Sequence, residues 1–206
     1  MSEKSSSSAA TSADTLLRGV LVLADGTVFE GHAFGARTAA VGEVCFNTAM
    51  TGYQEILSDP SYAGQIICFT FPHIGIVGTN DEDIEALTPS VRGLIVRADA
   101  ENPSNYRAIQ RLDGWLKRHN IPALAGIDTR ALTGRIRMKG MPHGALAADG
   151  RTEAPALLKM AKDFPGLEGL DLAKDVSATQ TRTWRETPWA WNKGYGEQKT
   201  PSFRAV

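Results

Sequence analysis

Two thiols, four imidazoles, an acidic run and one proline-stiffened loop are the groups in this chain that could do chemistry. Cys45 and Cys68 sit inside the apolar runs Val44-Cys45-Phe46 and Ile66-Ile67-Cys68-Phe69. A free cysteine in such surroundings behaves as a small buried hydrophobe, and burial raises the pKa that a nucleophilic thiol needs lowered. A Cys45–His73 nucleophile and base is a conceivable pair, and nothing in the spacing brings the two together. His32, His73, His119 and His143 have no partner at i+2, i+3 or i+4, so spacing gives no metal site. Two cysteines complete neither a disulfide framework nor a four-ligand zinc site. No phosphate-binding glycine loop is present. Asp81, Glu82, Asp83 and Glu85 read as a solvated loop or helix start rather than as a cation or interface site.

The richest segment runs from Asn47 to Tyr62 and is followed by Phe71-Pro72-His73-Ile74-Gly75. It has no clean period of 2 or 3.6, which marks a shaped loop with a short helical turn. Gly52, Asp59 and Pro60 fix turns. Ser61 and Tyr62 then place two hydroxyls directly after a rigid proline. Such a corner can offer a hydroxyl and backbone N–H groups to a ligand or partner, or be a self-satisfied structural turn.

The surrounding elements must hold that loop. Strands are predicted at Val20–Leu23, Thr27–Glu30 with continuation toward Phe34, Val41–Asn47 and Gln65–Phe71, with a tight turn at Asp25-Gly26. Further strands are predicted at Leu94–Arg97, Ala123–Ile127 and His143–Ala148. A helix is expected over Tyr106–His119, capped by Ser104 or Asn105, with Ile109, Leu112, Trp115 and Leu116 as its apolar stripe. Asp128 should cap a second helix, Thr129–Lys139, which Gly140 ends. A third should span Ala154–Asp163. Strands followed by strand–helix alternation indicate an α+β domain. The tail holds Trp184, Trp189 and Trp191 beside Tyr195; these either pack back on the domain or belong against something else.

Composition narrows the class. The chain has 206 residues, 42% hydrophobic and 22% charged, with 22 basic and 23 acidic side chains and a net charge of −1. A core can form, and a general nucleic-acid binder, with its basic excess, is disfavoured. No apolar run reaches membrane-spanning length. The first residues, MSEKSSSSAATSAD, read as a flexible tail without the apolar centre of a secretory signal.

The segment Glu43-x-x-Phe46-Asn47-Thr48-x-Met50-Thr51-Gly52-Tyr53-Gln54-Glu55-Ile56-Leu57-x-Asp59-Pro60-Ser61-Tyr62 resembles the N-terminal domain of carbamoyl phosphate synthetase small subunits. The likeness continues through Phe71-Pro72-His73-Ile74-Gly75, Gly78-Thr79-Asn80, Leu116-Lys117-Arg118-His119-Asn120-Ile121, Gly126-Ile127-Asp128-Thr129-Arg130 and Phe164-Pro165-Gly166-Leu167. It implies a layered, swivelling β/β/α domain over residues 16–150, preceded by a disordered tail at 1–15. Residues 151–206 would be a partly ordered segment connecting to a class I glutamine amidotransferase domain, with Ser202 to Val206 resembling its opening strand.

The family's enzyme makes carbamoyl phosphate from glutamine, bicarbonate and ATP for arginine and pyrimidine synthesis. Its small subunit hydrolyses glutamine, and its large subunit holds ATP and the divalent metal. By this resemblance the chain is a cytoplasmic domain that docks on the large subunit and borders the glutamine site, with Ser61 as its glutamine-binding position. It implies no catalytic residue, metal, cofactor, nucleic acid or membrane contact in this chain. Neither Cys45 nor Cys68 has the Gly-x-Cys-x-Gly surroundings of the family's nucleophile. The rival expectations are a stand-alone interaction module on the same fold and a small hydrolase using Cys45.

Overall fold

Strands that are apolar on both faces need cover on both sides, and several strands here are of that kind: Ile66, Ile67, Cys68 and Phe69 are consecutive and all buried. The computed structural model describes residues 16–99, 102–181, 183–200 and 203; the expected N-terminal tail lies outside them. The elements in order are β1 (Arg18–Leu23), β2 (Val28–Gly35), β3 (Ala39–Asn47), α1 (Tyr53–Ser58), a 3-10 turn (Pro60–Tyr62) and β4 (Gln65–Phe69). Then come β5 (His73–Ile74), β6 (Gly93–Ile95), β7 (Ala98–Asp99), α2 (Leu112–Arg118) and β8 (Pro122–Ala125). The series ends with α3 (Thr129–Lys139), β9 (His143–Ala147), α4 (Ala154–Asp163) and α5 (Leu172–Val176).

Seven strands close into a barrel in the order β1-β2-β8-β6-β4-β3-β9, and β9 pairs back to β1. The β3–β4, β4–β6 and β6–β8 pairs are parallel and the other four antiparallel. Closure leaves no strand edge unpaired. β5 and β7 form a separate two-stranded piece. The α+β class expected from the sequence is therefore the observed one. The strands form one closed wall, where the expectation was of stacked β layers.

The barrel is filled by Leu21, Leu23, Val44, Ile66, Cys68, Ile95, Leu124 and Leu146, with Leu132 and Ile136 of α3 joining them. Space inside is tight enough to demand missing side chains. A Cβ on Gly93 would lie 2.6 Å from Leu146 Cδ2, and one on Gly144 2.6 Å from Val44 Cγ2. Outside, Leu112, Trp115 and Leu116 of α2 and Tyr53 and Leu57 of α1 cover Ile67, Phe69 and Leu94. On the far wall Leu157 and Ala161 of α4 cover Val20, Val22, Ala145 and Ala147.

α3 follows its sequence signals closely. The Asp128 carboxylate accepts from Ala131 N–H at 3.0 Å, and Gly140 ends the helix. α2 does not. It begins at Leu112, with Arg111 rather than Ser104 or Asn105 at its start. The preceding residues are held extended, because Ile109 N–H donates to Thr79 O at 2.9 Å and Thr79 N–H to Gln110 O at 3.0 Å. Ile109 consequently leaves the apolar stripe and is 66% exposed. Helical spacing continued through it, but pairing to another segment won. The fourth strand likewise stops at Phe69 instead of Phe71.

The Asp25-Gly26 turn is locked by Asp25, whose carboxylate accepts from Thr27 N–H at 3.0 Å and Thr27 Oγ1–H at 2.7 Å. Arg135 pairs with it from α3. Those hydrogen bonds, Arg135's first, draw the Asp25 carboxyl down to about 2. A carboxylate whose pKa is lower when folded stabilises above its unfolded value, and that gain vanishes as pH falls through the folded value. Asp25→Asn should therefore lower the thermal midpoint at pH 6, and the gap to the parent should close between pH 4 and pH 2. Trp115 is 3% exposed, and Trp115→Ala should cost about 3–5 kcal/mol in urea titration. A loss under about 1 kcal/mol, the usual scale of surface substitutions, would place that helix face at the surface.

Candidate functional site

α1 has six residues, too few for a helix to hold by its own hydrogen bonds. Side chains anchor it. It starts after Gly52, whose φ of 74° is left-handed and open to glycine without penalty. Tyr53 Oη–H donates to Gly78 O at 2.6 Å. Gln54, itself 3% exposed, makes a two-way contact with one residue: its Nε2 donates to Asn80 O at 2.5 Å and its Oε1 accepts from Asn80 N–H at 2.9 Å. Ser58 Oγ–H donates to Gln54 O at 2.8 Å and accepts from Glu85 N–H at 3.0 Å.

The serine corner follows directly. Asp59 is extended and ends α1, and its carboxylate accepts from Ser61 N–H at 2.8 Å across Pro60. Asn47, at the end of β3, donates from Nδ2 to Tyr62 Oη at 2.9 Å and accepts Ala49 N–H at 2.8 Å. The backbone on both sides of Ser61 is thus fixed. Ser61 is exposed, and its hydroxyl makes no hydrogen bond to the described residues. Of the two hydroxyls singled out from the sequence, Tyr62's is engaged in structure and Ser61's is presented.

The acidic run is organised rather than merely solvated. Asn80 Oδ1 accepts from Glu82 N–H at 2.8 Å and Asp83 N–H at 2.9 Å. Arg107 donates to both Asp83 oxygens, at 2.8 and 3.1 Å, and to Glu82 at 3.0 Å. Above this patch sits the tail: Trp189 Nε1–H donates to Glu82 at 3.0 Å, and Arg107 lies 5.2 Å from the centre of the Trp189 ring. Trp191 stands edge-on to Tyr106 at 6.1 Å and to Trp189 at 5.9 Å. Trp189 and Trp191 do pack back on the domain, and Trp184 and Trp191 stay more than half exposed. A cavity of about 220 Å³ remains between Gly52, Gln54, Glu55, Asn80, Arg107 and Trp191. Burial, then Asp83 and Glu85, hold the Glu55 carboxyl above its ordinary pKa.

Both thiols and two of the imidazoles fall into packing roles. Both thiols are free and buried, and desolvation pushes each up to about 12. Cys45 is packed in the core, away from solvent and with its pKa raised, which argues against it as the nucleophile of a small hydrolase. His119 lies against Trp115 with ring centres 4.5 Å apart and planes tilted by 47°, and His143 meets Phe164 edge-on at 5.1 Å. His73 is exposed in β5. Among the described residues no three His, Cys, Asp or Glu side chains cluster as metal ligands.

Gln54, Asn80 and Arg107 were not singled out in the sequence. Asn80 carried a usable signal, since an asparagine before a polar run commonly folds its side chain back on the next backbone N–H groups. Arg107 carried none, being twenty-four residues from Asp83.

The domain thus buries both thiols and holds one serine corner, fixed in its backbone, at the surface. Residues 21–146 match the family model described as carbamoyl-phosphate synthase small chain, CPSase domain, and the chain belongs to that family. It is 60% identical over 193 residues to the carbamoyl phosphate synthase small chain of Mesorhizobium japonicum, covering 91% of this chain and 48% of the relative. The small chains of Bradyrhizobium diazoefficiens and Brucella anthropi are 58% and 57% identical over the same span, with 49% and 47% of their lengths covered. The chain spans about half the length of the curated relatives it matches.

The Gln54–Asn80 contact should be the keystone of α1. Gln54→Leu leaves the Asn80 N–H and C=O unpaired in a buried place, a loss of about 1–3 kcal/mol in urea melts. Hydrogen exchange at the Asn80 amide should accelerate with it. Unchanged protection there would show that the helix is held elsewhere.

Proposed function

We propose that this chain is the N-terminal part of the small, glutamine-hydrolysing chain of a carbamoyl phosphate synthase, acting in the cytoplasm. In this reading it docks on a large chain, which supplies the ATP and divalent-metal chemistry. It borders the glutamine site and contributes Ser61 there, while hydrolysis belongs to a separate amidotransferase domain. The product, carbamoyl phosphate, serves arginine and pyrimidine synthesis. Two walls of the barrel would act as the β layers of a swivelling β/β/α unit, with the helices as the third. Among the described residues no helix is long and apolar enough to cross a membrane.

The observation that carries the site reading is the Asp59-Pro60-Ser61 corner. Its backbone is braced by the Asp59 carboxylate, and its hydroxyl is exposed with no hydrogen-bond partner among the described residues. A hydroxyl both donates and accepts, so Ser61 can serve either the carboxylate or the ammonium of a free amino acid. A bond to that end of glutamine lies away from the reacting amide. It therefore holds ground state and transition state alike, and its loss appears in KM rather than kcat.

The test is steady-state kinetics of a small chain of the relatives' full length that carries this sequence, assembled with its large chain. A hydrogen bond here is worth about 0.5–3 kcal/mol depending on the partner's charge. Ser61→Ala should raise the glutamine KM roughly 3- to 100-fold at about 1.4 kcal/mol per factor of ten. Synthesis from ammonia should be unchanged. An unaltered glutamine KM would make Ser61 a structural turn, and an equal loss with ammonia would move its effect to the subunit contact.

A further inference from the structure

One carboxylate oxygen ties together two distant parts of the chain. Glu82 Oε2 accepts from the Arg107 guanidinium and from Trp189 Nε1–H, each at 3.0 Å. The same guanidinium lies 5.2 Å from the centre of the Trp189 ring, so the three side chains close a triangle. The tail is shaped to this seat. Its chain turns back so that Ala190 bridges to Gly194. Gly194 has a φ of 68°, and a Cβ there would stand 2.9 Å from Glu82 Oε1. An indole N–H and a missing side chain are therefore both fitted to one carboxylate.

From this seat, bonds run without a gap to the serine corner. Arg107 holds both oxygens of Asp83, at 2.8 and 3.1 Å, and Asp83 Oδ2 also accepts from Asn80 Nδ2 at 2.7 Å. The Asn80 backbone is the group that Gln54 of α1 grips with both ends of its amide. Glu85 N–H reaches Ser58 at the end of α1, and Asp59, which follows, braces Ser61. Gln54, Ser58 and Asn80 are buried, whereas Arg107 is half-buried and Glu82 and Trp189 are exposed. An ion pair so near solvent adds little to stability. A two-pronged guanidinium–carboxylate contact does fix orientation as well as distance, so the worth of this one is geometric.

We propose that Arg107 and Trp189 are positioning residues for the glutamine site: they clamp the tail to the crossover that carries Ser61. This rests on the subunit reading above, in which Ser61 faces a pocket whose catalytic part belongs to an amidotransferase domain. This chain covers 48% of the relative from Mesorhizobium japonicum, and in that reading the clamped tail stands between the barrel and the amidotransferase domain. A tail pinned to the acidic loop fixes where that domain's half of the pocket meets Ser61. A loose tail lets the two halves drift, and a displacement of about 1 Å is enough to weaken an oriented contact. Neither Arg107 nor Trp189 touches glutamine in this arrangement.

The test is a double-mutant cycle in steady-state kinetics, on a small chain of the relatives' full length that carries this sequence, assembled with its large chain. Arg107→Ala and Trp189→Ala should each raise the glutamine KM roughly threefold or more, with kcat within about twofold, because the contact they position is remote from the reacting amide. Synthesis from ammonia should be unchanged. Combined with Ser61→Ala, neither should raise KM further, since the contact they serve is already gone. Trp189→Phe, which keeps a ring over Arg107 but loses the bond to Glu82, should fall between parent and Trp189→Ala. If Arg107→Ala fails to assemble, Trp189→Ala decides, because its exposed side chain supports no buried group. An unchanged KM in Trp189→Ala, an equal loss with ammonia, or a rise that multiplies with that of Ser61→Ala overturns the clamp and leaves Ser61 its role. An unchanged KM in Ser61→Ala alone overturns the glutamine-site reading, and the clamp falls with it.

Discussion

The parallel pairing of Val44, Cys45 and Phe46 with Ile66, Ile67 and Cys68 is the constraint from which the rest of this domain follows. Two parallel neighbours cannot be joined by a hairpin, so the chain must travel back along the outside of the sheet before the second strand begins. The crossover here is short: α1 and one 3-10 turn. A crossover of that length has little material with which to bury itself. It must borrow hydrogen bonds from Gly78, Asn80 and Glu85, downstream of β4. The serine corner is the last part of that return path. Its position is therefore a consequence of barrel topology, transmitted through Asn47 on one strand and Asp59 at the helix end.

Closure of the barrel and the anchoring of the crossover are two solutions of one problem. Backbone groups buried by a covered sheet need partners, and closure provides them without an edge. Polar groups beneath α1 need partners too, and Gln54, Ser58 and Asn80 provide them in a small connected set. Arg107 then pairs with two of the carboxylates that this arrangement brings together. The Arg107–Asp83–Glu82 contact offsets part of the negative charge of that corner.

Much of this was legible in the order of residues, for local reasons. α3 could be bounded at both ends because Asp128 and Gly140 act on their immediate neighbours. The Asp25-Gly26 turn and the apolar strands were legible for the same reason. α2 was overextended because the decisive bonds at Ile109 and Gln110 come from Thr79, some thirty residues away. Closure itself was not legible, since alternation within a strand says nothing of which strand lies beside it; β1 meets β9 across more than one hundred residues. At the site, Ser61 stood out through its proline and aspartate. Gln54 and Arg107 did not, because their meaning lies wholly in partners that only the fold brings near.

The seating of the tail on the acidic loop has an optical consequence. Of the four tryptophans, Trp115 alone is buried, while Trp184, Trp189 and Trp191 belong to the half-exposed tail. Trp189 lies against a guanidinium and donates to Glu82. Intrinsic fluorescence from this chain is thus mostly a signal of whether the tail is seated. The body of the domain contributes through one indole, on α2, set at a tilt against an imidazole. Light emitted at the tryptophan wavelengths therefore comes from two environments, the tail on the acidic loop and the packed face of α2.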